Sequence, residues 1–206
     1  NTSFYVSLDK DALYHNIEYL REYKQKELLP VIKANAYGHN SLLIAKALYD
    51  FNLKTWAVAR FSEAISITEY MMNNFSINDF KILVFESLND DYSFLEKYSQ
   101  ICPTINSIKD LKNALANNIP IDRLSLKIDF GFGRNGVKEE EVDELKNLIK
   151  FNSLKFLSIF SHLFSASYTD GLEIIRKFTE VVNKLGRNNF QMIHLQNAAG
   201  IYNYDV

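Results

Sequence analysis

The stretch Leu29-Pro30-Val31-Ile32-Lys33-Ala34-Asn35-Ala36-Tyr37-Gly38-His39 runs from an apolar, β-branched segment into a polar loop, with a lysine at the junction. It reads as a short strand over 29–33, followed by a tight turn. The same arrangement recurs along the chain. Apolar runs over 55–60, 81–86, 101–106, 124–129, 156–162 and 191–196 read as further strands, several of them continuous enough for a strand buried on both faces of a parallel sheet. Amphipathic helix patterns separate them, over 12–23 with Asp9 as N-cap, 41–51, from Ser62 onward, 107–116, 139–150 and 170–185 with Gly186 past the end. Strand ends fall roughly 20 to 35 residues apart, the size of a βα unit.

An α/β fold follows. A doubly wound open sheet fits the same rhythm. A TIM-type (β/α)8 barrel fits better, because Lys33, Asp129, His162 and His194 stand at the C-terminal ends of different strands, where a barrel gathers its chemistry. About seven βα units are present where the barrel needs eight, so the expectation is an incomplete barrel forming one domain over residues 1–206.

Composition narrows the function. The chain has 206 residues, a net charge of −2 and one cysteine, Cys102. That balance gives no basic surface for nucleic acid, and a lone cysteine excludes an internal disulfide and suits a reducing cytoplasm. No apolar run reaches the roughly 18 residues of a membrane span, and Asn1-Thr2-Ser3-Phe4 has none of the features of a signal peptide. No HxH, HExxH, CxxC or GxSxG pattern occurs, so neither a metal site nor a serine nucleophile has a sequence basis.

Two segments carry candidate chemistry. A lysine leaving an apolar strand is a nucleophilic amine suited to a carbonyl partner, and Tyr37 one turn later is a hydrogen-bond donor for an anion. Read from the residues alone, the commoner alternative stands too: a solvated lysine at a strand end. In Lys127-Ile128-Asp129-Phe130-Gly131-Phe132-Gly133-Arg134-Asn135-Gly136-Val137, Lys127 and Asp129 share the strand face opposite Leu126 and Ile128, and a buried charge there requires a partner. The glycines allow close backbone approach, and Arg134 offers a planar cationic fork. This segment is equally a glycine-rich turn with a surface arginine; it is not a dinucleotide fingerprint. His162 and His194 close strands, where a lone histidine is more often a satisfied core residue. His15 belongs to the exposed side of the first helix.

Val31 through His39 resembles the pyridoxal phosphate attachment motif of alanine racemases, and the resemblance continues in order through Ala57-Val58-Ala59, Glu63-Ala64, Lys81 to Val84, Lys127 to Gly136, Ser161-His162 and His194 with Asn197. It implies a pyridoxal-phosphate-dependent isomerase that interconverts L- and D-alanine and supplies D-alanine for peptidoglycan. Lys33 would be the cofactor-binding lysine and one of two catalytic bases. Tyr37 would bind the cofactor phosphate, Arg134 its phenolic oxygen, and Lys127 would be the carbamylated lysine that orients Arg134. His162 would join the network under the ring, and His194 and Asn197 would line the cofactor side of the pocket. The resemblance also implies a homodimer, and a C-terminal β-domain, absent from this chain, that supplies the second base. Ala198 stands where the family has a serine and Phe130 where it has a threonine. Two other functions share these features: a single-domain pyridoxal-phosphate-binding protein without strong catalysis, and a racemase of serine or another small amino acid. An inert scaffold is the remaining alternative.

Overall fold

The computed structural model describes residues 7–88, 92–164 and 168–204; Asn1-Thr2-Ser3-Phe4 lies outside them. The chain divides into two compact units, Asn1–Leu83 and Val84–Val206.

The first unit opens with α1 (Lys10–Lys24), capped by the Asp9 carboxylate, which accepts the N–H groups of Asp11 and Ala12 at 3.0 Å each. Ile17 is its buried residue, and His15 lies on the exposed side as the sequence implies. The run over 29–33 is not a full strand. It makes one parallel bridge, Val31 to Ala57, with Ile32 N–H donating to Ala57 O at 2.9 Å and Ala57 N–H to Pro30 O at 2.8 Å. Pro30 has no N–H to extend the ladder, and Lys33 already belongs to the next element, α2 (Lys33–Tyr37). Then follow α3 (Ser41–Asp50), capped by Asn40, β1 (Thr55–Val58) and α4 (Phe61–Phe75). Fully buried Trp56, Ala45, Leu48, Ala64, Ile67 and Met71 form its core, and the Trp56 indole N–H is satisfied by Leu53 O at 2.8 Å.

β2 (Lys81–Ser87) starts in the first unit and ends in the second. The second unit continues with α5 (Ser93–Lys97), β3 (Ile101–Ile105), α6 (Ile108–Ala116), β4 (Ser125–Asp129), the two-residue β5 (Val137–Lys138), α7 (Val142–Asn152), β6 (Phe156–Phe160), α8 (Tyr168–Leu185), β7 (Phe190–His194) and α9 (Ala198–Asn203). β4 pairs in parallel with β3, β5 and β6, and β6 in parallel with β7. Strand followed by helix followed by parallel neighbour is the βα rhythm read from the sequence. The register matters for function. Lys127 lies level with Phe160, and Phe160 with His194, so these three side chains form one row, on one face. Leu126, Ile128 and Ile159, which alternate with them, are fully buried. Among the described residues no helix is long and apolar enough to cross a membrane.

Candidate active site

In the first unit the candidate site residue is Lys33. It is half-buried at the end of the Val31 bridge, and its amine sits 5.9 Å from the centre of the Tyr37 ring. The turn between them is unusual. Ala34, Asn35, Ala36 and Tyr37 all have positive φ, between 52° and 55°, so α2 is a single left-handed helical turn. For non-glycine residues this conformation is disfavoured by about 1–2 kcal/mol each, and it persists only where the surroundings over-determine it.

Those surroundings are identifiable. The Glu63 carboxylate, in the first turn of α4, accepts Ala34 N–H at 2.5 Å and also Ala59 and Arg60 N–H at 2.9 Å each. Asn35 Oδ1 accepts Ser41 N–H at 2.9 Å, and Gly38 closes the turn by donating to Ala34 and Asn35 carbonyls at 3.2 and 3.1 Å. The turn fixes the spacing between the Lys33 amine and the exposed Tyr37 ring, which is 63% accessible. Glu63→Ala is therefore expected to destabilise the protein by about 2–4 kcal/mol, since it leaves three backbone donors without their charged acceptor. Urea unfolding of the variant measures this; a change below about 0.5 kcal/mol would mean the carboxylate does not hold the turn.

In the second unit the site centres on β4. Lys127 is 4% exposed. Sequence reasoning called for a partner, and the structure supplies an uncharged one: its amine donates to Asn135 Oδ1, and Asn135 Nδ2 donates to Phe85 O at 3.3 Å. Burial, with the Arg134 cation second, pushes the Lys127 amine down to about 8, against an opposing pull from Asp129. The Asp129 carboxylate is itself occupied in shaping the loop, accepting Phe132 N–H at 3.0 Å and Gly133 N–H at 2.9 Å. Arg134 is exposed, with its guanidinium 4.8 Å from the centre of the Phe132 ring. That ring also meets His162 edge-on at 4.9 Å.

His194 stacks on Phe160 at 4.9 Å with the ring planes 8° apart, and its Nε2 lies 3.3 Å from Ser158 Oγ, which donates to Ser125 Oγ at 2.8 Å. Burial pushes the His194 imidazole down to about 4, so it is neutral at physiological pH. Asn197 caps α9: its Oδ1 accepts Gly200 N–H at 2.9 Å and its Nδ2 donates to Leu163 O at 2.9 Å. Thus the second unit brings Lys127, Arg134, His162, His194 and Asn197 to the C-terminal ends of β4, β6 and β7, and the first unit places Lys33 and Tyr37 at the equivalent end of its strand segment. Sequence reasoning missed Glu63 as the support of the turn and Asn135 as the partner of Lys127. A charge on an inward strand face was the signal for the second of these.

The sequence matches the family described as alanine racemase, N-terminal domain, over residues 8–206. It is 34% identical to an alanine racemase of Fusobacterium nucleatum over 97% of this chain and 56% of that protein. It is 30% identical to one of Staphylococcus saprophyticus over 96% of this chain and 52% of that protein. The chain therefore spans about half the length of the curated relatives it matches. Among solved structures, the alanine racemase of Bartonella henselae, which carries covalently bound pyridoxal phosphate, superimposes with a TM-score of 0.78 at 24% identity, covering 94% of this chain and 56% of that one. That of Enterococcus faecalis (E.faecalis) gives 0.75 at 26% identity, over 94% of this chain and 53% of that one. These likenesses bear out the fold, parallel strands and helices of an incomplete (β/α)8 barrel. By its match over nearly its whole length, the chain belongs to the alanine racemase family, as its N-terminal domain.

Proposed function

We propose that this chain is the pyridoxal-phosphate-binding part of an enzyme that interconverts L-alanine and D-alanine, with Lys33 as the cofactor-binding lysine. The observation that carries the reading is the left-handed turn. Four consecutive residues in a disfavoured conformation, held by the Glu63 carboxylate, fix a half-buried lysine relative to an exposed tyrosine, and strain of this kind concentrates at functional sites.

The donors present suit pyridoxal phosphate. Lys33 offers an amine for its aldehyde, Tyr37 a hydroxyl for its phosphate, and Arg134 a guanidinium for its phenolic oxygen. His162, beside Phe132, and neutral His194, on Phe160, offer polar edges with flat apolar backing. Asn197 lines the same side while fixing the start of α9. When bound, the cofactor supplies an electron-withdrawing ring that makes the α-proton of an amino acid removable. Lys33 takes or returns that proton at its Nζ, on one face of the α-carbon. Inversion requires a second base on the other face.

Lys127 is proposed to be carbamylated. The unprotonated amine attacks carbon dioxide, a C–N bond forms, and the displaced proton passes to solvent. The product is an anion beside Arg134, so a repulsive pair becomes an attractive one. The proposal extends to a small amino-acid substrate, a cytoplasmic enzyme supplying D-alanine for peptidoglycan, a homodimer over the full family length, and no nucleic-acid or membrane partner.

The test is to supply pyridoxal phosphate and L-alanine in deuterated water to a form spanning the relatives' length. The expected result is D-alanine by chiral chromatography, with deuterium at its α-carbon. Turnover of L-serine in preference to L-alanine would replace the substrate assignment, and absence of exchange with both would reject the reading.

A further inference from the structure

We infer that Asn135 is a positioning residue: its side-chain amide ties the Lys127 amine to the end of β2 and gives it an uncharged acceptor, so that the charge beside Arg134 is switchable. The inference rests on the reading that Arg134 serves an anionic atom of the cofactor.

The geometry is specific. Asn135 spends both ends of its amide, accepting from Lys127 with Oδ1 and donating to Phe85 O with Nδ2 at 3.3 Å. Phe85 O receives a second amide, Asn106 Nδ2, at 3.2 Å, and Asn106 also donates to Ser87 Oγ at 3.0 Å. Lys127 and Asn106 are 4% and 5% exposed. The amide of Asn135 is therefore oriented by a fixed backbone carbonyl rather than free to rotate, and it presents oxygen to the amine. A carboxylate at this position would hold Lys127 permanently charged. An apolar side chain would remove the acceptor that the amine has among the described residues.

The charged groups acting on the amine are Arg134, which disfavours its protonated form, and Asp129, which favours it. Of the strands paired with β4, β6 places Phe160 level with Lys127, with His162 two residues on, β5 places Lys138 level with Asp129, and β3 carries no charged residue; β2, reached through Phe85 O, carries Glu86. Asp129 is engaged by two loop N–H groups, and among the described residues the hydrogen-bonding partner of the amine is Asn135.

The experiment is a titration of the Lys127 side chain, read from its 13C-labelled Cε resonance in buffer free of carbon dioxide and assigned by its loss in Lys127→Met. Wild type is expected to titrate near pH 8. Asn135→Asp should move the midpoint up by about two pH units, as an opposite charge at contact does. Asn135→Leu, similar in volume and without polar atoms, should move it down by half a unit or more. A merely structural role would send both variants the same way, toward an ordinary lysine, as the site loosens and water enters. Movement in the same direction, or no movement, would overturn the inference. Borohydride trapping of pyridoxal phosphate on Lys33 in the same samples reports separately on the cofactor: labelled protein with unmoved titrations sinks the Asn135 inference alone, whereas unlabelled protein with opposed shifts sinks the cofactor reading alone.

Discussion

Lys33→Ala is expected to abolish retention of pyridoxal phosphate and to lower alanine racemisation by roughly 10⁴-fold or more in a full-length form, because in the proposed function one residue would supply both the amine that holds the cofactor and the base on one face of the α-carbon. Lys33 is the lysine at the head of the left-handed turn, and the turn holds one geometry through Glu63 and Asn35. The fold should be intact, since Lys33 is only half-buried and its amine approaches the Tyr37 ring at 5.9 Å, so the variant's unfolding free energy should stay within about 0.5 kcal/mol of wild type. Added small alkylamines should restore a fraction of the lost activity by serving as a diffusible base. Full activity in the variant would contradict the assignment outright. Loss of activity with loss of folding would contradict the claim that Lys33 is functional rather than structural.

A large stability effect is expected from a single methyl added at Gly136. Its φ is +128°, and a Cβ there would lie 2.9 Å from the backbone nitrogen of Asp129 and 3.1 Å from its Cβ. Neither side can move away, because the adjoining residue Val137 pairs with Ile128 in the β4–β5 ladder. Gly136→Ala combines a backbone conformation that L-residues rarely adopt with a contact against main chain, which together should destabilise the protein by about 3 kcal/mol or more. The same change should loosen the loop that returns Asn135 to Lys127. Urea unfolding of variant and wild type measures the effect; a loss below about 1 kcal/mol would mean that the loop relaxes and that Gly136 does not set its path.

Most of the fold was legible because its signals are local and repeated. The runs that become β1 to β4, β6 and β7 are apolar and bounded by polar turns, and helices α1, α3, α6 and α8 carry their apolar residues at helical spacing. Short elements escaped for the same reason: α5, α9 and the two-residue β5 are too brief for periodicity to register.

The candidate site residues were chosen from the sequence, and their local geometry was not legible there. Lys33 was expected at the end of a full strand, whereas Pro30 limits that strand to a single bridge and four residues from Ala34 to Tyr37 enter left-handed space. Nothing in Ala-Asn-Ala-Tyr announces that conformation, since local preference opposes it. It is imposed by Glu63, 29 residues away from Ala34. Lys127 was recognised as a buried charge in need of a partner, with the kind of partner left open. The amide that answers it becomes adjacent only once the loop with Gly131 and Gly133 turns back toward β4. Asn197 was read for its place in the family pattern; its position directly before a helix was the signal that it also caps α9.

The most direct test of the central claim, that Lys33 is the lysine to which the cofactor attaches, is to incubate the protein with pyridoxal phosphate, reduce with borohydride, and map the modified peptide by mass spectrometry. The expected result is one stable pyridoxyl group on Lys33, absent from Lys33→Ala. Label spread over surface lysines such as Lys146 and Lys150, or none on correctly folded protein, would contradict it.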